Sequence, residues 1–121
     1  MDFQEYAEEL NHFSFHFYNE DKKLFEIDDE VKERIILSRL YYALLHHFFQ
    51  QHKTLANSTA SGKHETMLRM VQKEHSHQFP LFIELKKLRE WADYRPMEKM
   101  PFPVNVGRLL HNANRVIHAK A

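Results

Sequence analysis

Arg39 and His46 stand seven residues apart in a run of sequence with helical patterning, which puts them two turns up the same face. An arginine can hold a phosphate by paired hydrogen bonds and offset the charge that develops on it. A histidine titrates near neutrality, so it can orient or relay a proton beside that phosphate. The pair could therefore serve a phosphate or ligand pocket. It could equally line a polar seam, satisfied by neighbouring carboxylates or by a second subunit.

Other groups invite other chemistry. Arg108, His111, Arg115 and His118 recur at helical spacing. Such a stripe can follow a phosphate backbone, form a solvated face, or offset the dipole of a helix C-terminus. Glu8, His12 and His16 have a workable spacing for helix-borne metal ligands, but nothing else in the chain completes the set. His75-Ser76-His77 lies in a different segment with no evident link to them. There is no His-Glu-x-x-His, no glycine-rich phosphate loop and no Gly-x-Ser-x-Gly elbow, and neither a metal nor a cofactor is expected.

The elements that must position these groups can be read from periodicity. Phe3, Tyr6, Ala7, Leu10, Phe13 and Phe17 predict one face of a first amphipathic helix, with Glu8, His12 and His16 opposite. After a polar break at 19–23, Asp28 or Asp29 can cap a second helix that runs to about His52. In it Ile36, Leu37, Leu40, Tyr41, Leu44, Leu45, Phe48 and Phe49 cover well over half the circumference, so it must be packed on several sides. The polar stripe left over is Lys32, Arg39, His46, Gln50 and Lys53, with Ala43 inside it. Tyr41 and Tyr42 are expected in core or dimer packing.

The small polar segment 54–62 reads as a loop, and a third helix over about His64 to His75 presents Met67, Leu68 and Val71. Pro80 suits the first turn of a fourth helix, with Leu81, Leu85, Leu88 and Ala92 as its buried stripe and Arg89 at the border of core and solvent. Three prolines between Pro96 and Pro103 require that helix to stop near Ala92. A last helix over about Val104 to Lys120 buries Val106, Leu109, Leu110, Ala113, Val116 and Ile117. The expectation is an all-α, up-and-down bundle of four to five helices centred on the second.

Composition agrees. With 121 residues, 43% hydrophobic and 28% charged, the chain makes one domain over 1–121, and two glycines suit helices better than turn-rich β structure. Seventeen basic and seventeen acidic residues cancel, so affinity for nucleic acid has to come from local clustering. The absence of cysteine removes disulfides, thiolate metal sites and cysteine nucleophiles. Neither a secretion signal nor an 18-residue apolar run is evident, and the expected location is cytoplasmic, off the membrane.

Two segments carry a family resemblance. Ser38-Arg39-Leu40-Tyr41-Tyr42-Ala43-Leu44-Leu45-His46 resembles the signature helix of the HEPN domains, and Leu88-Arg89-Glu90-Trp91-Ala92-Asp93-Tyr94 is similar to that family's Arg-x-x-Ala-Asp-Tyr segment. Gly62-Lys63-His64, opening the helix between them, is a third point. The resemblance implies an RNA-directed protein. In its active form such a protein is a metal-independent endoribonuclease of toxin or defence type, with a composite site in a homodimer. The family motif there is an arginine followed by a histidine.

By position in the fold the active arginine is Arg89, in the turn where the fourth helix ends, but the residue five along is Tyr94 and not histidine. By spelling, Arg39 and His46 also satisfy the motif, on a different helix. The resemblance thus assigns catalysis to Arg89, Tyr94 and His46, and ligand contact to Arg39, Tyr42, His64 and Asp93, while Arg108 and Arg115 are candidate ligand contacts through their helical stripe. The alternative is a non-catalytic nucleotide-binding or protein-interaction module, working beside a nucleotidyltransferase, an antitoxin or another partner. Either way, Arg39, Tyr42, His46, Arg89 and Tyr94 are expected to converge on one polar cleft between the second and fourth helices.

Overall fold

The structure is a computed structural model and describes residues 2–19, 29–57 and 62–119. Asp28 as a helix cap, most of the polar break, the middle of the 54–62 segment and Lys120 lie outside the described residues. Among those residues the protein is all helical. The elements are α1 (Phe3–Tyr18), α2 (Asp29–Gln51), α3 (Lys53–Ala56), α4 (Lys63–Glu74), α5 (Phe79–Tyr94) and α6 (Val106–Ile117). The single-turn α3 is the addition to the expected set. No described helix is long and apolar enough to cross a membrane.

The helix α2 forms the axis of the bundle, touching α1, α5 and α6 along its length and α3 and α4 at its end. All eight of its expected core residues are buried. Ala43 is buried with them and leaves the polar stripe to Arg39, Tyr42 and His46, because a methyl side chain lets a neighbouring helix approach where a longer residue would hold it off.

Helix α1 is rotated from its expected setting. Asp2 accepts a hydrogen bond from the Glu5 amide at 2.8 Å and starts the helix. Its innermost line is Ala7, Asn11 and Ser14, while Tyr6 and Phe13 are 40% and 48% exposed. Two polar bonds to α6 set the rotation. Asn11 Nδ2 donates to Asn114 Oδ1 at 2.8 Å, and Gln4 Nε2 donates to the Ile117 carbonyl at 2.9 Å. Small and amide side chains thus occupy the contact, and the aromatics are displaced to its flank.

In α5, Pro80 lies in the first turn, and the buried line is Phe82, Leu85, Leu88 and Trp91 in place of the expected Leu81 and Ala92. Phe82 is drawn inward by stacking on Tyr41, with ring centroids 5.6 Å apart and planes inclined by 2°. The helix also runs to Tyr94, past the expected stop. Arg34 of α2 explains the extension: its guanidinium donates to the carbonyls of Trp91, Arg95, Pro96 and Glu98 at 2.7–3.3 Å and lies 3.9 Å from the Trp91 ring centre. One side chain thereby ties the last turn of α5 to the segment that follows it, adding a second donor at the carbonyls of Trp91, Arg95 and Glu98. The last helix begins at Val106, capped by Asn105, and buries the expected line, with Val116 at its edge.

Candidate functional site

Three outward residues of α2, Arg39, Tyr42 and His46, share one side of the bundle with the end of α5 and the start of α1. Together with Tyr6, Ser38, Asp93 and Tyr94 they line an open hollow of about 510 Å³, within the size range of small-molecule sites. Ser38 Oγ donates to Asp93 Oδ2 at 3.1 Å, tying the two helices at its floor.

Arg89 lies inside α5, five residues before its last one, and not in the turn beyond it. Its guanidinium carbon is 5.1, 5.5 and 5.2 Å from the ring centres of Tyr41, Tyr42 and Tyr94. Among the described residues no carboxylate forms an ion pair with it, and its Nε is buried without a hydrogen-bond partner. Burial works against the charge, but the phenols of Tyr42, Tyr94 and Tyr41 outweigh it and hold the guanidinium above its ordinary value. Arg89 is a permanent cation against three aromatic faces. Burial also pushes the Tyr41 phenol up, so it stays a neutral donor.

His46 has a defined tautomer. Its Nδ1 is 2.7 Å from the carbonyl of Tyr42, an acceptor, so Nδ1 carries the proton and Nε2 keeps its lone pair. Burial lowers its pKa, and the cation of Lys63 acts in the same direction. Tyr6 meets the ring edge-on at 4.6 Å. His46 also lines a second hollow, with Asp2, Phe3, Tyr6, Gln50, Lys53 and Asn57.

His64 reaches the same neighbourhood from the start of α4. Gly62 precedes it with φ of 78°, a backbone setting that favours glycine. Burial lowers the pKa of His64, followed by the charges of Arg89, Lys63 and His46. Its ring faces Phe49 at 6.3 Å. Tyr94 is 67% exposed at the rim.

The structure thus brings Arg39, Tyr42, His46, Asp93 and Tyr94 around one hollow, with Arg89 behind Tyr42 and Tyr94 and His64 within its field. Arg108 and Arg115 are not part of it. They line a separate groove of about 450 Å³ between α5 and α6, with His77, Gln78 and Glu84 among its walls. There Arg108 pairs with Glu84 at 3.1 Å and is largely neutralised. On α1 the rings of His12 and His16 lie 4.2 Å apart, with Glu8 and His118 nearby.

Tyr6 and Arg34 are the residues sequence reading missed. The spacing of Tyr6 matches that of Phe3 and Leu10 and points it to the core, whereas the turn of α1 leaves it 40% exposed. Arg34 carries no motif, and only the fold brings the α5 terminus to it. No family model, curated protein or solved structure matches the chain, and the chemistry of the hollow is read from its own side chains.

Proposed function

We propose that the hollow between α2 and α5 takes the phosphate and base of single-stranded RNA, and that the protein is a metal-independent endoribonuclease of the HEPN type. The observation that carries this reading is Arg89, a partly buried cation with no carboxylate ion-paired to it among the described residues, set against three tyrosine rings beside an open hollow. A guanidinium that no carboxylate neutralises attracts a phosphate oxygen, and aromatic faces beside it suit a stacked base. Arg39 adds a second cation on the same side.

His46 supplies the base. Its Nε2 accepts the proton of a 2′-hydroxyl, and the resulting oxygen attacks the adjacent phosphorus. The P–O5′ bond breaks, leaving a 2′,3′-cyclic phosphate and a 5′-hydroxyl that takes up a proton. Arg89 and Arg39 offset the charge on the phosphate through that step. In this scheme the proton acceptor is not Tyr94, because phenols are weak bases at neutral pH. Tyr94 instead donates to phosphate and covers Arg89. The up-and-down HEPN arrangement accords with α2 as the central helix.

A second copy of the chain belongs to this reading. Tyr6 and Phe13 form an outward aromatic face on α1, with half-buried Phe17 beside Phe13 at 5.6 Å between rings, and Tyr6 is common to that face and to the hollow. A dimer across it would set the two hollows side by side. Sedimentation that finds only monomer at high concentration removes this part.

The non-catalytic alternative, a nucleotide-binding module that acts with a nucleotidyltransferase, antitoxin or other protein, draws on Asp93. A carboxylate lining the hollow repels a backbone phosphate and can accept hydrogen bonds from a base or ribose.

The deciding experiment incubates purified protein with mixed RNA in EDTA. Cleavage is expected for wild type, with Arg89→Ala and His46→Ala each reduced by roughly 100-fold or more. RNA left equally intact by all three ends the nuclease reading, and a melting-temperature rise with mononucleotides under those conditions would favour the alternative.

A further inference from the structure

His52, the residue that joins α2 to α3, and His75, the residue that follows α4, turn their Nε2 atoms toward each other at 3.0 Å. Glu74 Oε2 lies 3.5 Å from His52 Nε2, and the ligand atoms of all three residues fall within 4.8 Å of one another. Two imidazoles so placed either share one Nε2–H···Nε2 hydrogen bond or, when each carries its proton on Nδ1, turn both lone pairs toward a cation.

The spacing favours such a cation. Zinc takes nitrogen ligands at about 2.0–2.1 Å in a tetrahedron, whose corners are then about 3.3 Å apart. Two of the three edges, at 3.0 and 3.5 Å, bracket that length, and the third is within 4.8 Å. The Phe48 ring lies 5.1 Å from His75 and gives the site an apolar wall, while His52 is well covered and Glu74 half exposed. The ion would therefore meet solvent on the Glu74 side, where a water completes the fourth corner. Nothing in the sequence pointed to this set, because His52 and Glu74-His75 are brought together only by the packing of α4 against α2.

We propose that His52, Glu74 and His75 bind one divalent transition-metal ion, with Zn²⁺ the best match. Two imidazoles and one carboxylate suit Zn²⁺, Co²⁺, Ni²⁺ or Cu²⁺, whereas Mg²⁺ and Ca²⁺ prefer sites made of oxygen. The ion fastens the C-terminal end of α4 to the C-terminal end of α2. Helix α4 has 12 residues, about 18 Å at 1.5 Å per residue, and its other end carries Lys63 and His64. The metal therefore stands about a helix length from His64, and the phosphate chemistry above does not call on it. Its effect is to hold the helix that presents His64, and it stands whether or not the protein cuts RNA.

The test uses the full chain, stripped with EDTA and exchanged into chelator-free buffer. Titration with ZnCl₂ in a calorimeter, and with CoCl₂ by visible absorption, is expected to show one saturable equivalent, a raised melting temperature and the intense bands of tetrahedral cobalt. MgCl₂ should produce none of these. His52→Gln and His75→Gln should each weaken Zn²⁺ binding by roughly tenfold or more, since even the loss of an outer partner costs 10–100-fold. The double variant His12→Gln/His16→Gln should bind as wild type does.

A measurement on wild type alone guards against misfolded variants. Zn²⁺ should shield His52 and His75 from acylation by diethylpyrocarbonate, read by peptide mass spectrometry, and leave His12 and His16 reactive. Absence of a saturable equivalent overturns the proposal. So does binding that survives in both the His52 and His75 variants, or shielding that falls on His12 and His16 instead.

Discussion

A guanidinium held by three tyrosines can be tuned in ways that a surface arginine cannot. Arg89→Lys keeps the charge but replaces a flat fork with a compact ammonium, which neither matches three ring faces nor forms paired bonds to phosphate. It is expected to weaken binding of a short fluorescent single-stranded RNA by roughly tenfold or more, measured by anisotropy at fixed salt. Tyr94→Phe keeps the ring over Arg89 and removes one neutral donor, so the expected loss is only about fivefold. A loss in Tyr94→Phe as large as that in Arg89→Lys would show that the hydroxyl contributes more than one neutral hydrogen bond. At His46 the sign of the pKa shift matters. Its pKa is lowered from 6.5, chiefly by burial, so the proton-accepting form persists below that pH. The acid limb of a pH–rate profile should therefore fall below pH 6.5. A limb above 6.5 would exclude His46 as the base.

Element by element, the hollow depends on where α5 stops. Without Arg34 the carbonyls of Trp91 and the residues after it lose their shared donor, and Trp91 loses the cation over its ring. Trp91 Nε1 also donates to the Glu98 carbonyl at 2.8 Å, so the turn is fastened from two directions. Removal of a buried cation that serves several acceptors is costly, and Arg34→Ala is expected to lower stability by about 3 kcal/mol in denaturant unfolding. Because Asp93 and Tyr94 sit on the same terminus, the variant should also weaken RNA binding while Arg89 is untouched. Normal stability in Arg34→Ala would mean that solvent satisfies those carbonyls equally well.

For the whole molecule, the sensitive joint is where α1 meets the C-terminal half of α2. His47 is buried there in a fixed neutral form: its Nδ1 lies 2.9 Å from Gln4 Oε1, and Gln51 Nε2 lies 3.0 Å from its Nε2. Nδ1–H donates to Gln4, and Nε2 accepts from Gln51. Burial lowers its pKa to about 4, with His75 adding to the effect. The folded state therefore resists a proton that the unfolded chain takes up near 6.5. Stability is full above that pH and is lost as pH falls through the interval to about 4, by on the order of 3 kcal/mol for this residue. His46, His64 and His75 shift in the same direction. Unfolding midpoints at pH 7, 5.5 and 4.5 should decline, and His47→Gln should flatten the decline; an unchanged slope would place the acid sensitivity elsewhere.

Helix identity was written in the sequence, because apolar spacing at 3.6 residues, Pro80 at a helix start and the cap residues act within a few positions of themselves. The core of α2 followed from the same local rule, as did the face of α6. Rotation did not: α1 turned because Asn11 and Gln4 answer to partners on other helices, while α5 kept its facing and widened its buried line to Phe82 and Trp91. The arginine, histidine and tyrosine types of the hollow were legible as residues with chemistry. The cage around Arg89, the tautomer of His46, the carbonyls on Arg34 and the meeting of His52 with His75 were not. Those depend on distances between segments far apart in the chain, which only close packing of the helices determines.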